Sequence, residues 1–261
     1  MSVAREYLPQ AARDPAPVVN IASQAATAPE YGIWRLCLWA GPLFMAVFIL
    51  FWGVMGHNIP PWNGDLPAAT VANWFRSEAS TIRLGMVVAM TAAPLYCVWG
   101  LAIGRIMTRV VGKDSLLVDI QVWGAGLTVI PLLVSTSFWL AGAYRPDSLS
   151  DVSLQMLYDM AWLLIDLAYF TTSIQLFAVG AGFLRDRRAH PLVPRWLSWY
   201  GIWVGFMFIA ECLMPMFKTG PFARDGVLNF WIEFTIWFVW CPALSFVLLR
   251  AVRRLEAEDR A

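Results

Sequence analysis

The chain has 261 residues, of which 59% are apolar and only 14% are charged. Soluble domains are usually about 45–50% apolar and about 25% charged, so the composition excludes an ordinary soluble protein, whose surface needs more charges than this chain contains. The net charge of +1 gives no reason to expect a nucleic-acid partner. We therefore predict an all-α, polytopic membrane protein whose main partners are membrane lipids.

Residues 1–31 are rich in Ala, Pro and Gln and contain no apolar run, which predicts a disordered cytoplasmic arm rather than a cleavable signal. Six apolar stretches follow, each longer than the roughly 20 residues that cross about 30 Å of hydrocarbon. The predicted spans are residues 34–55, 81–107, 116–143, 155–184, 197–217 and 227–249. They make up a six-helix bundle within a membrane domain of residues 32–252, and residues 253–261 form a predicted cytoplasmic tail.

The 19 Lys and Arg residues are sorted by side of the membrane. Fourteen of them lie in the N-terminal arm and in every second hydrophilic segment after it: Arg5, Arg13, Arg35, Arg105, Arg109, Lys113, Arg185, Arg187, Arg188, Arg195, Arg250, Arg253, Arg254 and Arg260. The remaining five lie on the other side: Arg76, Arg83, Arg145, Lys218 and Arg224. Cytoplasmic segments carry the excess of basic residues in multi-span proteins, so both termini are predicted in the cytoplasm.

The cysteines and histidines do not suggest a metal site. All four cysteines lie inside apolar stretches and form no CxxC motif: Cys37, Cys97, Cys212 and Cys241. They are predicted to be buried small residues rather than a disulfide framework. The two histidines, His57 and His190, are predicted on opposite sides of the membrane, so we expect no metal, no haem and no other cofactor.

The first outer loop is predicted to contain a short helix. Asp65 is a suitable N-cap, and Val71, Trp74 and Phe75 fall at helical spacing on one apolar face. Such a helix would lie on the outer face of the membrane. The alternative is that Trp74 and Phe75 belong to a lid over a cavity between the spans.

Four acids lie inside the predicted spans, in the outer half or near the midplane: Asp159, Asp166, Glu211 and Glu233. A charged residue at the centre of a span costs at least about 2.5–3.5 kcal/mol, so each is a candidate ligand-binding residue. Asp166 follows Asp159 by seven residues and shares its helical face. The alternative is that these acids only pair with neighbouring helices and fix their packing.

Three basic residues near the outer ends of the spans are predicted counter-charges for Asp166 and Glu233: Arg83, Arg145 and Lys218. Polar side chains of spans 3 and 4 are predicted to form a track with Asp166: Ser135, Thr136, Ser137, Thr171, Thr172, Ser173 and Gln175. The alternative for the hydroxyl groups is a hydrogen bond to the backbone of their own helix.

Five segments together carry a family resemblance: GHNIPPWNG, TIRLGM, AYRPD, PRWLSWYGIW and FKTGPFARDGVLNFW. With them the chain resembles a set of six-helix bacterial integral membrane proteins of similar length, some encoded among steroid and lipid catabolism genes. The resemblance covers about residues 34–250 and implies the bacterial inner membrane and an apolar ligand. No activity is established for that set, so it implies no catalytic residue here.

Three functions are compatible with this sequence. The first is the binding or transport of a small hydrophobic molecule through a polar cavity facing the outer leaflet, with Asp166 and Glu233 as polar anchors. The second is a membrane-embedded enzyme on a lipid-like substrate, with Asp159 and Asp166 as paired carboxylates, although no nucleophile or metal motif accompanies them. The third is an accessory subunit or scaffold of a membrane complex, or a homo-oligomer.

Overall fold

The computed structural model describes residues 30–261, which are helical and contain no strand. Within these described residues, six helices are long and apolar enough to cross a membrane, and we number them as spans 1 to 6: Tyr31–Met55, Ala79–Val111, Leu116–Tyr144, Asp151–Phe183, Arg195–Met216 and Val227–Arg260. All six coincide with the predicted stretches, so the all-α, six-helix architecture of a multi-pass membrane protein is confirmed.

The predicted arm lies outside the described residues except at its last two positions. Tyr31 is the first residue of span 1 and is buried, so the prediction that it belongs to a disordered arm is wrong. Its hydroxyl donates a hydrogen bond to Asp259 near the end of span 6, and Arg35 Nη1 lies 2.5 Å from Glu256 Oε2. These contacts stabilise the final turns, which explains why the last helix continues to Arg260.

The first residues of span 1 and the last residues of span 6 therefore lie at the same end of the bundle. We call this the terminal end and the opposite one the loop end. The outer surface between the two ends is apolar: Trp123 is 71% exposed, Ile130 54% and Phe170 50%. Large apolar side chains that stay exposed along the middle of long helices are expected where lipid is the solvent.

Close helix contacts depend on small residues in the bundle. A Cβ added to Gly100 of span 2 would lie 2.3 Å from the Cβ of Ala125 in span 3. A Cβ added to Gly41 of span 1 would lie 2.6 Å from the ring of Trp99. Small residues allow membrane helices to pack closely, and here the space between them is filled largely by aromatic rings.

Three spans depart from regular α-helix in the half nearer the loop end. Span 1 ends as the π-helix Ile49–Met55, span 5 tightens into the 3-10 helix Glu211–Met216, and span 6 begins as the π-helix Val227–Ile232. Irregular turns within a membrane are tolerated where protein or a cavity surrounds the backbone, and π turns are frequent at functional sites. All three departures therefore lie in the same half of the bundle, the one nearer the loop end.

A short helix, Ala68–Ser77, covers part of the loop end, and we call it the loop-end helix. It begins directly after Pro67, so the predicted cap at Asp65 is wrong. The backbone N–H of Asp65 instead donates to the side-chain oxygen of Asn63 at 2.8 Å. Pro67 is itself the N-cap residue, with extended backbone, and its carbonyl accepts the N–H of Thr70 at 2.9 Å, so the first turn closes without a side-chain cap.

The apolar face of the loop-end helix packs against protein. The ring of Trp74 lies 5.4 Å from that of Tyr158 in span 4, and Phe75 fills the space beside Gly142 of span 3. Arg76 Nη2 lies 2.8 Å from Asp151 Oδ1 at the start of span 4. The helix is therefore fixed to the bundle by its rings and by one ion pair.

At the terminal end, the loop between spans 4 and 5 is organised by Asp186. Its buried carboxylate accepts hydrogen bonds from the backbone N–H of Leu192 at 2.8 Å and from the backbone N–H and guanidinium of Arg188, both at 3.1 Å. Burial raises the pKa of this carboxyl, but these hydrogen bonds outweigh burial and hold the pKa below its usual range.

The substitution Asp186→Asn is expected to destabilise the protein by about 2 kcal/mol, because an amide cannot accept all of these hydrogen bonds. The stability contributed by Asp186 is fully present above the pKa of an unfolded aspartate, about 3.9, and is lost as the pH falls through the lower folded-state pKa. Thermal unfolding in detergent from neutral to acid pH measures both effects. The control Asp114→Asn changes an exposed acid in the neighbouring loop. Equal unfolding temperatures for the two variants would contradict the assignment.

Candidate functional site

Three of the four predicted acids are buried together. Asp166 of span 4 is 1% exposed, and Glu211 of span 5 and Glu233 of span 6 are 0% exposed. The side chains of Glu211 and Glu233 reach each other, and Asp166 lies near both. Glu211 and Glu233 occupy the positions where their helices change type. We call these three residues the acid cluster.

Most carboxyl oxygens of the acid cluster receive no hydrogen bond within residues 30–261. Neither carboxyl oxygen of Glu211 or Glu233 receives a hydrogen bond there, and neither does Oδ2 of Asp166. Ionised carboxylates are acceptors only, so Glu211 and Glu233 can bond each other only by sharing a proton. Like charges repel strongly where the dielectric constant is low. The cluster therefore requires a positive partner, either a proton or a cation.

Two further polar side chains face the acid cluster. Tyr169 of span 4 lies near all three acids, and Asn229 of span 6 lies beside Asp166. The hydroxyl of Tyr169 and the side-chain oxygen of Asn229 are buried and have no hydrogen-bond partner in the described part of the chain. Buried polar groups are normally paired, so several unpaired groups at one place are typical of a binding site.

Aromatic rings form the walls around these polar groups. The ring of Tyr169 stacks on Phe208 at 4.9 Å and meets Trp237 edge-on at 5.8 Å. Phe234, one residue after Glu233, stacks on Trp52 of the π-helical turn of span 1 at 5.8 Å. The irregular turn of span 1 thus contributes to the same ring-lined region as the acid cluster.

Among residues 30–261, the cation nearest to the acid cluster is Arg224, which the sequence did not single out. Its side chain is 7% exposed, and its Nη2 lies 2.6 Å from Oδ1 of Asp159. The guanidinium also lies over the rings of Tyr158 and Trp162, 5.0 Å and 5.6 Å from their centroids. It is within electrostatic range of Asp166 as well, so it lies next to both acids of span 4.

The loop before span 6 folds inward and thereby buries Arg224. The N–H of Ala223 donates to the carbonyl of Gly220 at 3.2 Å, and the N–H of Gly226 donates to the carbonyl of Ala223 at 2.8 Å. Gly220 has a φ of +92°, a conformation that favours glycine. In the sequence, only the turn-forming Gly and Pro residues around Arg224 bear on its position. They predict a turn, but they do not predict that the turn folds into the bundle.

The structure does not pair the three predicted counter-charges with Asp166 or Glu233. Arg83, Arg145 and Lys218 are exposed, and none of them forms an ion pair within residues 30–261. The guanidinium of Arg145 instead lies 5.3 Å from the ring of Tyr144. Long cationic side chains at span ends reach toward water, which explains their outward direction.

The predicted polar track between spans 3 and 4 is not formed. Thr136 donates to the carbonyl of Leu132 at 2.6 Å, and most of the other predicted hydroxyl groups also bond to their own helix, as the alternative expected. Thr172 instead pairs with Thr128 of span 3 at 3.0 Å. None of these hydrogen bonds reaches Asp166.

A pocket of about 220 Å³ opens at the loop end. Asp159, Lys218 and Arg224 are its charged lining residues, and Leu163 and Met214 are among its apolar ones. An apolar groove of about 630 Å³ between spans 3 and 4 is lined by Leu163 as well. Leu163 therefore lines both the pocket and the apolar groove.

The predicted lid residues Trp74 and Phe75 are both buried, 6% and 0% exposed. Their rings pack on Tyr158, at 5.4 Å and 6.3 Å between centroids. Tyr158 is also a ring under the guanidinium of Arg224. The loop-end helix and the loop that carries Arg224 thus contact the same side chain of span 4.

Similarity to known proteins gives no further information on the function of this chain. No family model, curated protein or solved structure matches the chain. The resemblance based on five sequence segments therefore stays a prediction. Within residues 30–261, no group of three or more His, Cys, Asp or Glu side chains is placed to hold a metal ion.

We expect the contribution of Arg224 to stability to come mainly from the rings below it. Asp159 is 41% exposed, so its ion pair contributes less than about 1 kcal/mol, whereas a desolvated cation–π contact contributes about 2 kcal/mol. Arg224→Gln should therefore lower the unfolding temperature in detergent clearly more than Asp159→Asn does.

The matched control is Arg83→Gln, which removes an exposed arginine of the loop end that has no ion pair in the described residues and should leave the unfolding temperature unchanged. An effect of Asp159→Asn as large as that of Arg224→Gln would show that the ion pair dominates, contrary to this assignment.

Proposed function

We propose that the chain is a multi-pass protein of a bacterial cytoplasmic membrane, with both termini in the cytoplasm. In this proposal it binds or transports a small, largely apolar molecule that reaches the bundle from the outer side. Asp166 and Glu233 are the polar anchors, and the loop-end helix with Trp74 and Phe75 is the lid. The terminal end is then cytoplasmic and the loop end faces outward.

The observation that carries this proposal is the acid cluster with its unpaired neighbours. Burying a polar group without a partner costs about 1–3 kcal/mol, so a bundle that served only structure would gain stability by replacing these groups with apolar side chains. Tyr169 and Asn229 add unpaired hydrogen-bonding atoms to the carboxyl groups. Polar atoms that converge between apolar walls are typical of ligand sites.

The position of Leu163 supports access from the membrane. It lines both the loop-end pocket and the apolar groove between spans 3 and 4. A molecule dissolved in the outer leaflet can therefore move along apolar side chains to the pocket, where Asp159 and Arg224 are the first charged groups that it meets. The pocket is smaller than the roughly 300–1,000 Å³ of drug-sized sites, which favours a small ligand.

The distribution of basic residues supports the orientation. Fourteen of the 19 Lys and Arg residues lie in the arm or on the side of the terminal end, and five lie on the side of the loop end. Such an excess is typical of the cytoplasmic side.

The orientation can be tested with single cysteines placed in a background in which the four native cysteines are replaced. Ser148→Cys at the loop end and His190→Cys at the terminal end are both at exposed positions. In intact bacterial cells a membrane-impermeant maleimide should label position 148 alone, and position 190 should react only after the cells are permeabilised. The reverse pattern would invert the orientation and contradict the proposal.

The anchor role of Asp166 predicts that Asp166→Asn loses the bound molecule while the protein stays folded. Native mass spectrometry of protein purified in mild detergent should show a small molecule on the wild type, and at least about tenfold lower occupancy in the variant. Size-exclusion behaviour and thermal unfolding check the fold.

Asp147→Asn is the matched control, because Asp147 is an exposed acid of the loop end without an ion pair in the described residues and should keep full occupancy. Equal occupancy in Asp166→Asn and the wild type would refute the anchor assignment.

A further inference from the structure

We propose that the molecule bound by the acid cluster carries an ammonium group, and that this cation enters in exchange for a proton shared by Glu211 and Glu233. This inference rests on the proposed function, because it concerns the ligand of the same site. Beyond the proposed function, it specifies the charge of the ligand and the ion that leaves the site when the ligand binds.

The charge balance of the loop-end half is the first argument. Asp166, Glu211 and Glu233 are buried, and the nearest cation, Arg224, already pairs with Asp159 at 2.6 Å. An isolated buried charge is far more costly than a paired one. The three carboxyl groups thus have at most part of one guanidinium as a positive partner. The site therefore favours a positively charged ligand and excludes an anionic one.

The aromatic walls are the second argument, because they distinguish an organic cation from a metal ion. A metal ion needs several oxygen ligands around one point, and no group of three or more acidic, His or Cys side chains within residues 30–261 is placed to hold one. Aromatic ring faces, by contrast, attract organic cations, and quaternary ammonium groups are bound by such rings in other proteins. Phe208, Trp237 and Phe234 surround Tyr169 beside the cluster.

Arg224 shows that this part of the protein already stabilises an organic cation in this way. Its guanidinium lies over the rings of Tyr158 and Trp162 and pairs with the carboxylate of Asp159. The acid cluster repeats the same combination of carboxyl groups and rings further inside the bundle. There the hydroxyl of Tyr169 is buried among the three acids without a partner, and no cation of the described chain occupies the place of the guanidinium.

The exchange keeps the charge of the site constant. When the cation binds, the O–H bond of the shared proton breaks, the electron pair stays on the carboxylate, and the proton passes to water. The titratable and charged groups that face Glu211 and Glu233 are Asp166 and Tyr169 of span 4 and Cys212 of span 5. Behind them, Arg224 faces Asp166, and Tyr96 of span 2 faces Tyr169.

Two probes of equal shape test this inference: benzyltrimethylammonium, whose charge is fixed, and neopentylbenzene, its neutral carbon isostere. The full chain is placed in nanodiscs of zwitterionic phosphatidylcholine, so that anionic lipid does not attract the cation. Isothermal titration calorimetry in two buffers of different ionisation enthalpy gives the affinity and the number of protons released. Empty nanodiscs supply the background.

The cation is expected to bind at least about tenfold more tightly than its isostere and to release about one proton per molecule bound. Glu233→Gln and Glu211→Gln, which imitate protonated carboxyl groups, should each weaken cation binding at least about tenfold and reduce the proton release. Asp147→Asn should change neither quantity. The unfolding temperature of each variant shows whether it is folded.

Equal affinity for the two probes, or cation binding that neither glutamine variant weakens, would overturn the inference. Binding of neopentylbenzene alone would overturn the inference and leave the proposed function standing. Binding of neither probe also overturns the inference. In that case the proposed function still stands if native mass spectrometry shows a bound molecule whose occupancy depends on Asp166. It fails as well if no such molecule is found.

Discussion

Carboxyl groups held away from water constrain the loop-end half of this protein more than any other feature. Asp166, Glu211 and Glu233 are buried between helices whose outer faces are apolar, and Arg224, the one buried cation near them in the described part of the chain, is already paired with Asp159. Replacing buried ionic groups by apolar side chains of similar volume is often neutral or stabilising, so packing alone does not require these acids. The fold instead surrounds the carboxyl groups with rings and unpaired polar atoms, which favours a role in binding over a role in packing.

The irregular turns of the helices are connected with this constraint. Spans 5 and 6 change helix type at Glu211 and Glu233, and the π-helical end of span 1 contributes Trp52 to the rings beside Phe234. A regular helix repeats every 3.6 residues, so a change of type alters the direction of the side chains that follow. At the terminal end, by contrast, the acids form ordinary ion pairs. Arg35 pairs there with Glu256, and Arg109 pairs with Asp259.

The sequence predicted the six spans because length and apolar composition alone determine whether a helix can cross a bilayer. It also selected the three buried acids, because an ionisable residue in an apolar stretch is unusual wherever it occurs. It did not predict Arg224, since the burial of a loop arginine depends on how the turn after Gly220 folds, which is a tertiary property. The sequence also placed Arg83, Arg145 and Lys218 beside the acids. That expectation was wrong because long cationic side chains at span ends extend toward water.

The most direct measurement of the role of the acid cluster is an experimental density map of the full chain in a lipid nanodisc, at a resolution that shows side chains. Density for a small molecule in contact with Asp166, Tyr169 and Glu233, below the guanidinium of Arg224, is the expected result. The contradictory result is a closed cluster without such density, in which the hydroxyl of Tyr169 and the side-chain oxygen of Asn229 both have hydrogen-bond partners within the protein.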